Sequence, residues 1–173
     1  MKMNKPVLCL ALAIAIAACA AMEKPSAPPY PDLLVTLERG GCYGSCPIYK
    51  LTIDGKGKVI YEGEEFVAVK GRRESAVSQE KIRALVAAVE RANYFSLADR
   101  YEPQITDLPS VTTSIRLRGK TKSIYHYGAL CGEEARPLPG GEKYEIDYGA
   151  PKELCELEEA IDEIANVKRW VEK

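Results

Sequence analysis

The chain is poor in the residues that most often carry chemistry. Its 173 residues include one histidine, His126, one tryptophan, Trp170, and two phenylalanines, Phe66 and Phe95. A single imidazole excludes metal or catalytic centres built from paired histidines, including the His-Glu-x-x-His helix. No glycine-rich stretch has the spacing of a phosphate cradle. Ser45, between Gly44 and Cys46, lacks the full nucleophile-elbow pattern. We therefore assign no general acid or base. Charge of either sign is also in short excess. Lysine and arginine number 24 against 25 acidic side chains, so no basic footprint suggests nucleic acid. The one basic cluster, Lys70-Gly71-Arg72-Arg73, is short and reads as a solvated loop or edge strand.

Among the features present, the N-terminus stands apart. Lys2 and Lys5 precede the apolar run Val7–Ala18, which is below the length that comfortably spans a bilayer and has the pattern of an export signal. The run ends in Ile16-Ala17-Ala18-Cys19, which resembles a bacterial lipoprotein processing box. That resemblance implies cleavage before Cys19, lipidation of its sulfur and attachment by more than one acyl chain. With Ala20 rather than aspartate after the cysteine, it implies outer-membrane sorting, facing the periplasm, where the cell has two membranes. Simple secretion is the alternative. Loss of Lys2 and Lys5 would take the formal charge from −1, with 24 basic side chains, to −3, with 22. Residues 1–18 are thus expected to be a signal peptide. Residues 19–32, with Pro25, Pro28, Pro29 and Pro31, form a tether, and residues 33–173 a single domain.

Four of the six cysteines remain for that domain: Cys42, Cys46, Cys131 and Cys155. An even number in an exported chain reads as two disulfides, with three connectivities open. We favour Cys42–Cys46 as a local clip and Cys131–Cys155 as a tie from a loop to the last helix.

Apolar and β-branched residues predict a strand over 33–38, and alternation predicts a second, after Pro47, over 48–53. Asp54-Gly55-Lys56-Gly57 is a hairpin turn leading to a strand over 58–62. A turn at Glu62–Glu65 and a third strand from Phe66 to about Arg73 would complete a meander. Ser78 caps an amphipathic helix over 79–92, with Ile82, Leu85, Val86 and Val89 on one face. Arg100–Pro109 reads as a loop. Strands over 110–118 and 121–127 would turn at Gly119-Lys120, opposing Thr113 to His126 and putting Ile124 and His126 on the apolar face. Ala129–Tyr148 reads as a long loop. Pro151 starts the last helix, with Leu154, Leu157, Ile161, Ile164 and Ala165 inward and Glu153, Glu156, Glu158, Glu159, Asp162 and Glu163 outward. Trp170 packs the C-terminus back on the domain. The expected class is α+β: a mostly antiparallel sheet from two hairpin groups, with two helices on one face.

The Cys42/Cys46 pair has three readings. It can be a structural clip, a redox pair or a metal site. Cys42-x-x-x-Cys46-Pro47 looks like the copper-binding stretch of the thioredoxin-like copper chaperones, which implies Cu(I) on Cys42, Cys46 and a remote histidine, here His126. The strand-like residues after Pro47 depart from that family, whose motif precedes a helix. His126 itself, between Tyr125 and Tyr127, reads as a packed or hydrogen-bonded strand residue.

More of the chain fits a second resemblance. Cys42-Tyr43-Gly44-x-Cys46-Pro47-x-Tyr49, followed by Asp54-Gly55 and Val59-x-Tyr61, resembles an uncharacterised bacterial domain family of small exported or lipid-anchored proteins. It implies a shared domain from about Leu33 through the last helix, and no mechanism. The expected function is a non-enzymatic envelope lipoprotein, without cofactor. It would be held to the membrane by its lipid anchor and bind an envelope protein, a peptide or a cell-wall component. The alternative is a periplasmic thiol-dependent copper or redox protein using Cys42 and Cys46.

Overall fold

The structure, a computed structural model, describes residues 28–103, 106–128, 131 and 149–172. The expected signal peptide, all but the end of the tether, and the loop within 129–148 apart from Cys131 lie outside the described residues. Seven strands form one sheet: β1 (Leu34–Arg39), β2 (Ile48–Asp54), β3 (Lys58–Glu65), β4 (Gly71–Ala76), β5 (Arg100–Tyr101), β6 (Ser110–Leu117) and β7 (Lys120–Tyr127). Their order is β4-β3-β2-β1-β6-β7-β5, and only β5 on β7 is a parallel pairing. Helices α1 (Gln79–Arg91) and α2 (Lys152–Ala165) and the short α3 (Lys168–Val171) complete the fold. The α+β class with a dominant sheet is as expected.

Alternation decides which face is covered. Val35, Leu37, Leu51, Ile53, Val59, Tyr61, Val111, Ile115 and Ile124 point one way and are buried with the apolar stripes of α1 and α2. Fully burying each such side chain contributes about 1.5–3 kcal/mol. Ser78 caps α1 as expected, its hydroxyl accepting from the Lys81 N–H at 3.3 Å. Trp170 stacks on Tyr61 with ring centroids 4.8 Å apart, and the backbone N–H of Val69 donates to the Trp170 carbonyl.

The structure corrects four local expectations. The strand expected to end at Glu62 runs on to Glu65, and the turn is Phe66–Lys70, so the next strand starts at Gly71 rather than at Phe66. Gly63 is a strand residue: a side chain there would collide with the Val69 carbonyl and the Tyr61 hydroxyl, which are hydrogen-bonded to each other. Within the expected loop 100–109, Arg100 and Tyr101 pair with Tyr125 and His126. The β6–β7 turn is Arg118-Gly119, both at positive φ, so Thr113 opposes Ile124 and Val111 opposes His126. That shift is two residues, which keeps every side chain on its expected face. Finally, Glu158 and Asp162 are not on the solvent face of α2: Glu158 is 2% exposed.

The basic cluster is divided between the Phe66–Lys70 turn and the exposed edge strand β4. There Arg72 pairs with Glu74 at 2.7 Å and Lys58 also reaches Glu74. Charges of this kind protect an open sheet edge from pairing with another chain.

Candidate functional site

The last core-facing row at one end of the sheet is polar. Register places Tyr49, Arg39, Val111, His126 and Tyr101 side by side across β2, β1, β6, β7 and β5. Helix α2 lies against this row and presents Cys155, Glu158 and Asp162 at i, i+3 and i+7, a spacing that shares one helix face.

Two polar groups result, one fully buried and one partly buried. His126 is fully buried, and its Nδ1 lies 3.2 Å from Oε2 of Glu158, within hydrogen-bond distance. Asp162 accepts from Arg39 Nε at 2.9 Å and Nη2 at 2.6 Å through Oδ2, and from the Tyr49 hydroxyl at 2.9 Å through Oδ1. Burial pushes the Asp162 carboxyl above its ordinary range, against the opposing pull of Arg39 and Tyr49. Burial likewise pushes the Tyr49 hydroxyl up, helped by the Asp162 charge. Arg39 is held protonated by Asp162 despite its desolvation. Tyr49 and Asp162 also line an open cleft of about 540 Å³ with Glu159, Glu163, Asn166 and Lys168.

The cysteines pair as favoured. Cys42 and Cys46 are bonded, as are Cys131 and Cys155. Cys131 forms a parallel bridge with Ala150, which brings it to the start of α2. One ring nitrogen of His126 and the sulfurs of Cys131 and Cys155 all lie within 4.8 Å of one another. The expected partners of His126 in a metal set were Cys42 and Cys46. Among the described residues, His126 forms such a group with the other pair. Sequence reasoning placed His126 on the core face but missed Glu158. The signal was available: 158 falls on the stripe 154, 157, 161, 165, so an acidic residue interrupts an otherwise apolar helix face.

Outside this cluster, the loop between β1 and β2 is pinned three ways. The Gly40 N–H donates to the Ser110 carbonyl at 2.8 Å, the Tyr43 N–H donates to the Asp107 carbonyl at 3.1 Å, and the Cys42–Cys46 bond closes the turn. Its apex carries Tyr43, 89% exposed. Phe66, 49% exposed, follows the last residue of β3, and Ile48 at the start of β2 pairs with that residue, Glu65. The two large exposed hydrophobic side chains of the described residues are therefore at the same end of the sheet. Cys19 lies outside the described residues. No described helix is long and apolar enough to cross a membrane.

Fold and site together define a seven-stranded α+β domain, clipped by two disulfides, with a buried His–Glu pair. Residues 33–165 match the family model described as a domain of unknown function, DUF6438, and the chain belongs to that family. No curated protein matches the chain.

Proposed function

We propose that this is a lipid-anchored protein of the bacterial cell envelope, attached through Cys19 and facing the periplasm on the outer membrane where two membranes exist. Its domain binds an envelope protein, peptide or cell-wall component without transforming it. The observation that carries this reading is Tyr43. A large aromatic side chain stands 89% exposed on a covalently closed, hydrogen-bonded loop, at the sheet end that also presents Phe66. A rigid aromatic contributes apolar area and a hydroxyl at little entropic cost on binding. The Pro-rich residues between Cys19 and Leu33 would let that end reach away from the lipid surface. The test is affinity capture from envelope extracts with the wild-type protein and Tyr43→Ser side by side. A partner or glycan enriched on the wild type and lost on Tyr43→Ser supports the reading; no enrichment by either contradicts it. Cys19→Ser should release the protein from membranes and abolish palmitate labelling.

A second reading, a thiol-dependent protein, draws on the group formed by His126, Cys131 and Cys155 rather than on Cys42 and Cys46. Cys131 and Cys155 are each partly exposed, so a reductant can reach them. Thiol titration of the native protein checks it: a Cys131–Cys155 bond that resists every dithiol reductant short of unfolding excludes it.

A further inference from the structure

We propose that the Cys131–Cys155 disulfide is the closed form of a metal site: once reduced, the two thiolates and His126 bind a divalent ion of the zinc class. This rests on the second, thiol-dependent reading and is independent of the Tyr43 surface.

Three ligand atoms are already gathered. A ring nitrogen of His126 and both sulfurs fall within 4.8 Å of one another. In a tetrahedral zinc centre, with zinc–sulfur and zinc–nitrogen bonds of about 2.3 and 2.0 Å, ligand atoms sit roughly 3.3–3.8 Å apart. Opening the sulfur–sulfur bond lets the two sulfurs separate toward that spacing. The ligands come from three separate places, β7, the Cys131–Ala150 bridge and α2, so their approach does not rest on the sulfur–sulfur bond alone.

Glu158 is the second, independent indication. Its side chain is 3% exposed, Oε2 faces Nδ1 of His126, and Oε1 is buried with no hydrogen-bond partner among the described residues. A buried acceptor without a donor is costly and calls for an explanation. A carboxylate on the ligating histidine is the usual support of a metal-bound imidazole, fixing its orientation and raising its basicity. Glu158 is thus a positioning residue, three positions along α2 from Cys155. The charge balance selects the ion. Two thiolates and a neighbouring buried carboxylate are better neutralised by a divalent ion than by Cu(I), and two sulfurs with one nitrogen suit zinc over the harder magnesium or calcium.

The redox step is complete with a dithiol reductant as the second reactant. It supplies two electrons and two protons, the Cys131–Cys155 bond breaks to give two thiols, and the reductant becomes a disulfide. Metal binding then releases the two thiol protons to solvent.

The experiment uses the processed protein purified from cells, oxidised or reduced anaerobically with a dithiol, then gel-filtered after exposure to Zn²⁺ alone, Co²⁺ alone or Cu(I) alone. Free thiols are counted, metal is measured per chain, and circular dichroism verifies the fold. The reduced protein should retain one equivalent of Zn²⁺ and the oxidised protein none. The Co²⁺ form should show sulfur-to-cobalt charge-transfer absorption. Cys42→Ser/Cys46→Ser should retain the metal, and His126→Gln should lose most of it. Glu158→Gln should keep the absorption band but weaken affinity about 10–100-fold. Four outcomes overturn the proposal. Thiols that never appear in the folded protein sink both it and the thiol-dependent reading. Thiols without retained zinc sink the metal site alone. So does zinc lost on Cys42→Ser/Cys46→Ser but not on His126→Gln, and so does retention of Cu(I) only.

Discussion

Glu158 on α2 and His126 on β7, thirty-two residues apart, meet at 3.2 Å in the core, and neither has meaningful contact with solvent. The pair ties the last helix to the sheet beside the Arg39–Asp162 contact. Removing one partner leaves the other buried without it, which costs about 1–3 kcal/mol. Glu158→Ala should therefore lower stability by that amount in urea unfolding. His126→Leu/Glu158→Leu should cost less than the sum of the two single changes, because no orphaned polar group remains. Additive costs would show that the two side chains are not coupled.

Arg39 and Asp162 form the neighbouring group, and their pH dependence has a definite sign. Burial raises the Asp162 carboxyl above its ordinary value of 3.8, so the folded chain holds that proton more tightly than the unfolded chain. The resulting stabilisation is fully present below pH 3.8 and is lost as pH rises through the folded-state value. Subtracting the stability of Asp162→Asn from that of the wild type should give a difference that falls with rising pH across that window. A difference that rises would contradict burial as the dominant influence. At neutral pH, Arg39→Met should cost about 1–3 kcal/mol, because the carboxylate then keeps only the Tyr49 hydroxyl as a partner, and Arg39→Met/Asp162→Leu should cost less than the sum of the two single changes.

The two disulfides close very different lengths of chain. Cys131 and Cys155 are 24 positions apart and Cys42 and Cys46 only 4. On chain entropy alone the first should contribute about 3.5 kcal/mol and the second about 2 kcal/mol. Cys131→Ala/Cys155→Ala should accordingly lower the unfolding midpoint more than Cys42→Ala/Cys46→Ala. The reverse order would mean that the loop clip is coupled to the sheet more tightly than its length implies.

Much of this architecture was legible because burial obeys the period of each element. Alternation in β1, β2 and β6, the capped stripe of α1 and the Asp54–Gly57 turn each point to one structure. The misses share a physical cause: tertiary contact overrode a local signal. Glu62–Glu65 looks like a turn, yet Gly63 is needed where Tyr61 meets the Val69 carbonyl. Arg118, not Lys120, enters the left-handed region, which moves the hairpin register by two residues. Glu158 and Asp162 read as solvated acids because acids on a helix usually are. Only the sheet row that carries His126 and Arg39 gives them partners, and that row exists only in three dimensions. The pairing of Cys131 with Cys155 was legible as a tie to the last helix, but its approach to His126 was not.

The role of the Tyr43 loop as a contact surface is tested most directly in living cells. A photo-crosslinking amino acid at position 43 of the full-length protein is compared with one at Lys56, in the exposed turn at the opposite end of the β2–β3 hairpin. The account predicts a discrete crosslinked product at position 43 that is absent at position 56 and disappears with Cys42→Ser/Cys46→Ser, which unclips the loop. Equal products at both positions, or none at either, would contradict it.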